Sequence, residues 1–280
     1  MWLRFAESLA GPHLRRFAIA PVARAGLSLG APPVIDNSAL PVIVRPFEAG
    51  AAVVVCSAAG FFAGLGLALG GVLIDGGKLS WDTERFPKLH APAPSYHGVV
   101  WTELVKTWNA SPLIARARGG ILRDLGAAIG PMAVFQTLQG LETQPLRMRE
   151  HNRNALAVAA YLSKHPKATK AIHPSVQTGE PRRRADAVLK GGYGALVGFE
   201  LQGGKEAGKT FIDALKLLYR VANIGDARSL AIHPATTTHS QLSPEDQQAT
   251  GVSDGYVRLS AGIEHIDDIL ADLAQALDAA

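Results

Sequence analysis

A single cysteine, Cys56, is the only thiol in this chain of 280 residues. One cysteine excludes an internal disulfide and any zinc site built on cysteine pairs, and it suits a reducing cytoplasm. Charge is locally missing as well: from Ala49 to Ile74 there is no Asp, Glu, Lys or Arg. About 20 apolar residues rising 1.5 Å each would cross a hydrocarbon core of roughly 30 Å, so a membrane span must be weighed. The run also lacks what a span needs. No tyrosine, tryptophan or Lys/Arg cluster marks an interface at either end. Gly60, Gly64, Gly66, Gly70 and Gly71 interrupt it, each costing about 1 kcal/mol against alanine in a helix. Val53-Val54-Val55 and Val72-Leu73-Ile74 are β-type clusters at its two ends. The expectation is a buried strand, a glycine-rich loop and a second buried strand, with no membrane contact. Because the run begins near position 50, it is not a signal-peptide core either.

What is present describes a globular protein. Hydrophobic residues make up 48% of the chain, enough for a substantial core. The net charge of +4 is dispersed except at Arg182-Arg183-Arg184. That triplet, in a stretch with Gly and Pro and without interleaved aromatics, is expected to be a solvated loop and not a nucleic-acid patch. No repeat or low-complexity tract is visible.

Along the chain, the segment around His13–Gly26 predicts a helix and Pro33–Ile35 a strand ending in Asp36-Asn37. Together with the two strands of the uncharged run, this predicts an α/β layered fold with a mainly parallel sheet. Phe86 to Tyr96, with Pro87, Pro92 and Pro94, is expected to be irregular. From Thr102 to His165 the periodicity is helical and predicts a long helix ending before Pro166. A compact α+β unit follows. Its expected elements are a strand at Tyr193–Leu201, a helix at Lys205–Val221, short strands at Ser229–His233 and Arg258–Ser260, and a closing helix at Ile266–Leu277. The long helix suggests a boundary near residue 145, giving units 1–145 and 146–280.

Four features carry possible chemistry, each with a structural alternative. Asp36 ends a strand, where ligands bind in open α/β sheets, but it also suits a turn or cap. The loop from Ser57 to Gly71 offers a hydroxyl and backbone N–H groups for a phosphate, yet has no Lys or Arg. His233 and His239 could hold a metal, but no carboxylate or cysteine lies at ligand spacing between them; satisfied turn histidines are the alternative. Arg258 sits on an apolar strand, where a guanidinium needs an anion; that anion is either a ligand or Glu264.

The strings FAESLAGP (Phe5 to Pro12), VIDNSALPVIVRPFEAGAAVVVCSA (Val34 to Ala58), GGVLIDGGKLSW (Gly70 to Trp81), PSYHGVVW (Pro94 to Trp101), QGLET (Gln139 to Thr143) and HPATTTHS (His233 to Ser240) together resemble the O-acetylhomoserine sulfhydrylases. These belong to the Cys/Met-metabolism group of fold-type I pyridoxal-phosphate enzymes. The resemblance covers nearly the whole chain and favours this branch over cystathionine synthases and lyases. It implies part of a fold-type I transferase large domain, with its mainly parallel sheet, followed by a C-terminal α+β small domain. It implies pyridoxal 5'-phosphate as cofactor, O-acetylhomoserine and sulfide or a thiol as substrates, homocysteine or methionine with acetate as products, and a cytoplasmic setting.

The resemblance also implies roles for single residues. Asp36 matches the aspartate beside the pyridinium nitrogen, and Ser57 a hydroxyl on the cofactor phosphate. Arg258 matches the arginine that grips the substrate α-carboxylate, with Ser229 beside it. The pattern is broken where it matters most. Gly60 stands at the position of the Schiff-base lysine, Ala59 at a second phosphate hydroxyl, Leu65 at a histidine and Gly11 at an asparagine. Lys78 follows the next strand and is not expected to substitute. The family's N-terminal part has no counterpart, so open strand edges and poor solubility are expected. Activity is expected to be impaired. Assembly is expected as a homo-oligomer or as a heteromer with a full-length homologue, the alternatives being a non-catalytic partner or an inactive fragment.

Overall fold

The computed structural model describes residues 4–11, 14–16, 18–81 and 84–280. Pro12 and His13, the start of the first expected helix, lie outside the described residues. That helix runs over Ile19–Ser28 (α1) and carries the chain across one face of the first sheet.

The first sheet has four strands: β1 (Arg4–Glu7), β2 (Pro33–Asp36), β3 (Val53–Ser57) and β4 (Gly71–Asp75), in that spatial order. β1 pairs with β2 and β2 with β3 in parallel, while β4 returns antiparallel with Val53 opposite Asp75. The uncharged run is therefore the β3–β4 pair and the loop between, as its valines and glycines predict, but the second strand is not buried as expected, because β4 forms the edge of the sheet. Among the described residues no helix is long and apolar enough to cross a membrane. β3 is mostly buried, whereas the edge strands β1 and β4 are largely exposed, with Phe5, Leu73 and Ile74 in solvent.

The expected helical stretch after Thr102 is broken into pieces. A short turn at Trp101–Leu104 and a continuous helical stretch at Pro112–Leu125, π-helical over Ala117–Leu122, precede α2 (Pro131–Glu142) and α3 (Gln144–Leu162). Pro131 stands at N1 of α2 and Pro145 in the first turn of α3, where the missing N–H costs nothing. The same rule corrects the proline-rich stretch, which is not wholly irregular: Pro87 opens a helical turn at Pro87–His90 and Pro94 a 3₁₀ turn.

The second sheet contains β5 (Ala168–Ile172), β6 (Leu196–Leu201), β7 (Tyr219–Arg220), β8 (Leu230–Ile232) and β9 (Tyr256–Ser260), ordered β5-β6-β9-β8-β7. Helices α3, α5 (Gly204–Ala214) and α6 (Ile266–Ala279) bury Val158, Leu162, Phe211, Leu273 and Leu277 against Val197, Phe199, Val257 and Leu259. Helix α5 stops seven residues short of the expected Val221 because Asp272 of α6 takes the N–H groups of Lys216, Leu217 and Leu218 at 2.9 Å each, turning the chain into β7. A further helix, α4 (Gly179–Val188), holds Arg182-Arg183-Arg184, which is not a loop. Arg183 and Arg184 reach Glu180 and Arg182 reaches Asp186, the one-turn spacing of helix ion pairs.

The two sheets share one apolar cluster. Ile35, Leu40, Cys56 and Phe61 from around the first sheet pack with Ile172, Leu196 and Tyr256 from the second. The glycine-rich loop after β3 is thereby wedged between them.

Candidate functional site

Strands β2 and β3 end side by side, and a serine ties them together. Asp36 is half-buried, and its Oδ1 accepts the N–H of Ser38 at 2.8 Å, a turn closed by the side chain. The Oγ of Ser38 in turn accepts the N–H of Ser57 at 2.7 Å. Ser57 is exposed, and among the described residues its hydroxyl has only a long contact, 3.4 Å from the N–H of Ala59. Asp36 and Ser57 thus lie together at the carboxyl ends of parallel strands, with an acid and a free hydroxyl facing outward. Cys56 between them is buried. Burial pushes its thiol up to about 11, with the charge of Asp36 adding to the rise, so it is a packing residue and not a nucleophile.

After Ser57 the chain makes tight turns. Ala58 donates to Gly70 at 2.8 Å, Ala63 to Ala58 at 3.0 Å and Gly64 to Gly60 at 2.6 Å. Gly64 and Gly66 have φ of +79° and +63°, a region where a side chain is strained. Arg147 of α3 lies beneath this loop and is buried. Its guanidinium donates to the carbonyls of Phe61 (2.9 Å), Phe62 (3.0 Å) and Gly140 (2.6 Å), and its Nε to Thr143 Oγ1 (3.2 Å). Among the described residues no carboxylate pairs with it, and burial lowers its pKa. No sequence motif singles out Arg147; its only signal is an arginine placed on the buried face of a helix.

From the other side comes the turn Asn223–Asp226. A Cβ on Gly60 would overlap the carbonyl oxygen of Ile224. Ala227 donates to Gly64 O at 2.7 Å, and Gly225 N to Ser260 Oγ at 3.0 Å. Arg258 of β9 points into the same region, its Nη2 donating to Asn223 O at 3.4 Å. Its burial lowers the pKa of the guanidinium, and among the described residues no carboxylate is within ion-pair distance. The alternative anion, Glu264, is engaged elsewhere. It accepts Ser229 N at 2.6 Å and Ser229 Oγ at 2.9 Å, and Ser229 Oγ accepts Gly262 N at 2.8 Å. Ser229 is therefore fully buried, with its one hydroxyl proton committed to Glu264.

Asp36, Ser57, Gly60 and Arg258 are thus linked through Ser38 and the Asn223–Ile224 backbone, while Ser229 lies one layer behind. The histidine pair is separate from them. His233 uses both ring nitrogens, Nδ1 with Thr236 Oγ1 at 2.9 Å and Nε2 with Asp254 O at 2.7 Å; His239 contacts Thr238 at 3.0 Å. Among the described residues no group of three His, Cys, Asp or Glu could hold a metal.

A family model described as "Cys/Met metabolism PLP-dependent enzyme" matches residues 2–278. An O-acetyl-L-homoserine sulfhydrylase of Leptospira meyeri is 46% identical over 98% of this chain and 63% of its own length. A homocysteine synthase of Schizosaccharomyces pombe is 41% identical over 99% of this chain and 65% of its own. The crystal structure assigned as an O-acetylhomoserine (thiol)-lyase of Campylobacter jejuni, carrying a pyridoxyl-lysine monophosphate, superimposes with a TM-score of 0.92 at 34% identity. That superposition covers 99% of this chain and 66% of that one. The chain spans less than two thirds of the length of the relatives it matches.

Proposed function

Because the chain belongs to the Cys/Met metabolism PLP-dependent enzyme family, we propose that it is an O-acetylhomoserine sulfhydrylase by descent whose catalytic centre is eroded at Gly60. Its relatives' names support the reaction class, in which O-acetylhomoserine and sulfide or a thiol give homocysteine or methionine with release of acetate. The division near residue 145, at the start of α3, and a reducing cytoplasmic setting belong to the same proposal.

Pyridoxal phosphate, the family's cofactor, meets a partly suitable site. Asp36 would face the pyridinium nitrogen and keep it protonated, and the exposed hydroxyl of Ser57 would donate to the phosphate. Arg258 carries this reading. It is a half-buried cation without a carboxylate partner among the described residues, which suits it to a substrate α-carboxylate, held by a planar two-pronged donor. Ser229, matched by the resemblance to the same carboxylate site, is buried with its hydroxyl donated to Glu264, so it would act from behind Arg258 without touching the substrate. The residues do not fit covalent attachment of the cofactor. The segment from Val53 to Gly71 contains no lysine, and Gly60 has no room for a side chain. An amine positioned to move protons contributes about 10²–10⁴ in rate, so a deficit of at least that size is expected.

Two measurements test this. The purified chain is mixed with equimolar pyridoxal phosphate, reduced with borohydride and digested for peptide mass spectrometry; only scattered substoichiometric labelling of exposed lysines is expected, with no single stoichiometric pyridoxyl-lysine. Homocysteine formation from O-acetylhomoserine and sulfide is then compared with a full-length homologue. A stable pyridoxyl-lysine with turnover at the homologue's rate would refute the eroded-centre reading.

A second reading, a non-catalytic partner chain, is favoured by one observation. The chain exposes 14489 Å², against about 11,500 Å² expected for a folded monomer of its mass. Leu65, Leu67 and Leu69 of the loop and Met132, Phe135 and Leu138 of α2 are among the exposed apolar residues. That face suits a second copy or a full-length homologue. Light scattering after size exclusion, alone and with co-expressed homologue, tests it; a monomer in both cases refutes it.

A further inference from the structure

We propose that the lysine position has been closed by the polypeptide itself. The turn Asn223–Asp226 and the turn Gly60–Gly66 interlock so tightly that a lysine restored at residue 60 by one substitution does not recreate an anchoring amine. This rests on the assignment of Gly60 to that position.

The closure is two-sided. A Cβ on Gly60 would run into the Ile224 carbonyl, a backbone atom that cannot swing aside as the end of a long side chain can. Reciprocally, a Cβ on Gly225 would stand 2.5 Å from Cγ of Phe61 and 2.6 Å from its backbone nitrogen. A Cβ on Gly66 would stand 2.7 Å from Oδ2 of Asp226. Three glycines, one of them on the opposing turn, therefore permit the approach, and the 2.7 Å bond from Ala227 to Gly64 O fastens it.

Neither turn is free to retreat. Arg147 holds the carbonyls of Phe61 and Phe62 on one side, and a Cβ on Gly64 would press on its guanidinium at 2.5 Å. On the other side, Gly225 N is bonded to Ser260 Oγ on β9 and Asp226 is buried. Such crowding recurs at other packed glycines, among them Gly140 against the Ala63 carbonyl and Gly255 against the Leu201 carbonyl, whereas the open positions Gly77, Gly98 and Gly120 would each carry a Cβ with nothing within 4 Å. In densely packed interiors an added carbon with no space forces backbone movement, so any side chain at residue 60 opens the junction between the two sheets.

The full-length chain is tested as wild type, G60A, G60K and the control G120A, by thermal unfolding and by borohydride trapping of pyridoxal phosphate with peptide mass spectrometry. G60A is expected to lower Tm by roughly 5 °C and G60K by at least as much, with G120A within about 1 °C of wild type. G60K is expected to carry no pyridoxyl label at residue 60. An unchanged Tm for G60A, or a G60K chain labelled at residue 60 with its Tm retained, overturns the inference. If G60K does not fold, the Tm of G60A decides. A pyridoxyl-lysine in the wild type, with turnover, would refute the proposed function while leaving the G60A and G60K results to judge the closure.

Discussion

Replacing Arg147 with Met should be among the most damaging changes outside the apolar core, because one side chain fastens the loop after β3 to the helices behind it. Methionine keeps most of the volume and removes every donor. The carbonyls of Phe61, Phe62 and Gly140 then lose bonds of 2.9, 3.0 and 2.6 Å. Hydrogen bonds to a charged donor contribute about 1.5–3 kcal/mol each, and a buried acceptor left unpaired costs about 1–3 kcal/mol. Against this stands relief from desolvating a guanidinium that, among the described residues, no carboxylate compensates. Gln144 also donates to Phe61 O at 3.4 Å and keeps that acceptor partly satisfied. The balance is a loss of about 3 kcal/mol, or a Tm lower by roughly 6–12 °C. Arg147→Lys, which keeps the charge but not the fork, should fall between. Urea unfolding gives the free energy, and hydrogen exchange over residues 58–66 should rise selectively. A methionine variant within about 0.5 kcal/mol of wild type, with unchanged exchange in that loop, would refute this account.

Other consequences follow from single buried groups. His173 is fully buried, and its pKa is lowered by burial from 6.5 to about 4. The unfolded chain therefore binds the extra proton between those values, so stability falls as pH drops from 6.5 towards 4, by about 3 kcal/mol for this group. His173→Asn should flatten that part of the profile, and an unchanged slope would remove His173 as its source. Cys56, with its thiol near 11, should react with a disulfide reagent only as fast as the chain opens; rapid stoichiometric labelling of the native chain would contradict this. Asp272→Ala strands three N–H groups at the end of α5 and should cost about 3 kcal/mol by urea unfolding; a cost under about 1 kcal/mol would mean water replaces the carboxylate.

Much of this was legible in residue order. Valine clusters fixed β3 and β4, glycines fixed the loop between them, and the quoted strings pointed to the family. The same order misled where local signals compete with packing. The arginine triplet beside Gly179 and Pro181 suggested a loop, yet Glu180 and Asp186 at one-turn spacing make it a helix. Likewise the helix expected over Lys205–Val221 ends at Ala214, where a carboxylate 54 to 56 residues further along takes the next N–H groups.

By itself the sequence determined that residue 60 bears no amine, because side-chain identity is independent of folding. Only the tertiary structure decided that the space beside it is taken by Ile224, that Glu264 serves Ser229 and not Arg258, and that Arg147 supports the loop. Each of these joins residues that lie from 35 to 164 positions apart. No local pattern encodes such contacts, because they arise only when the two sheets close on one shared core.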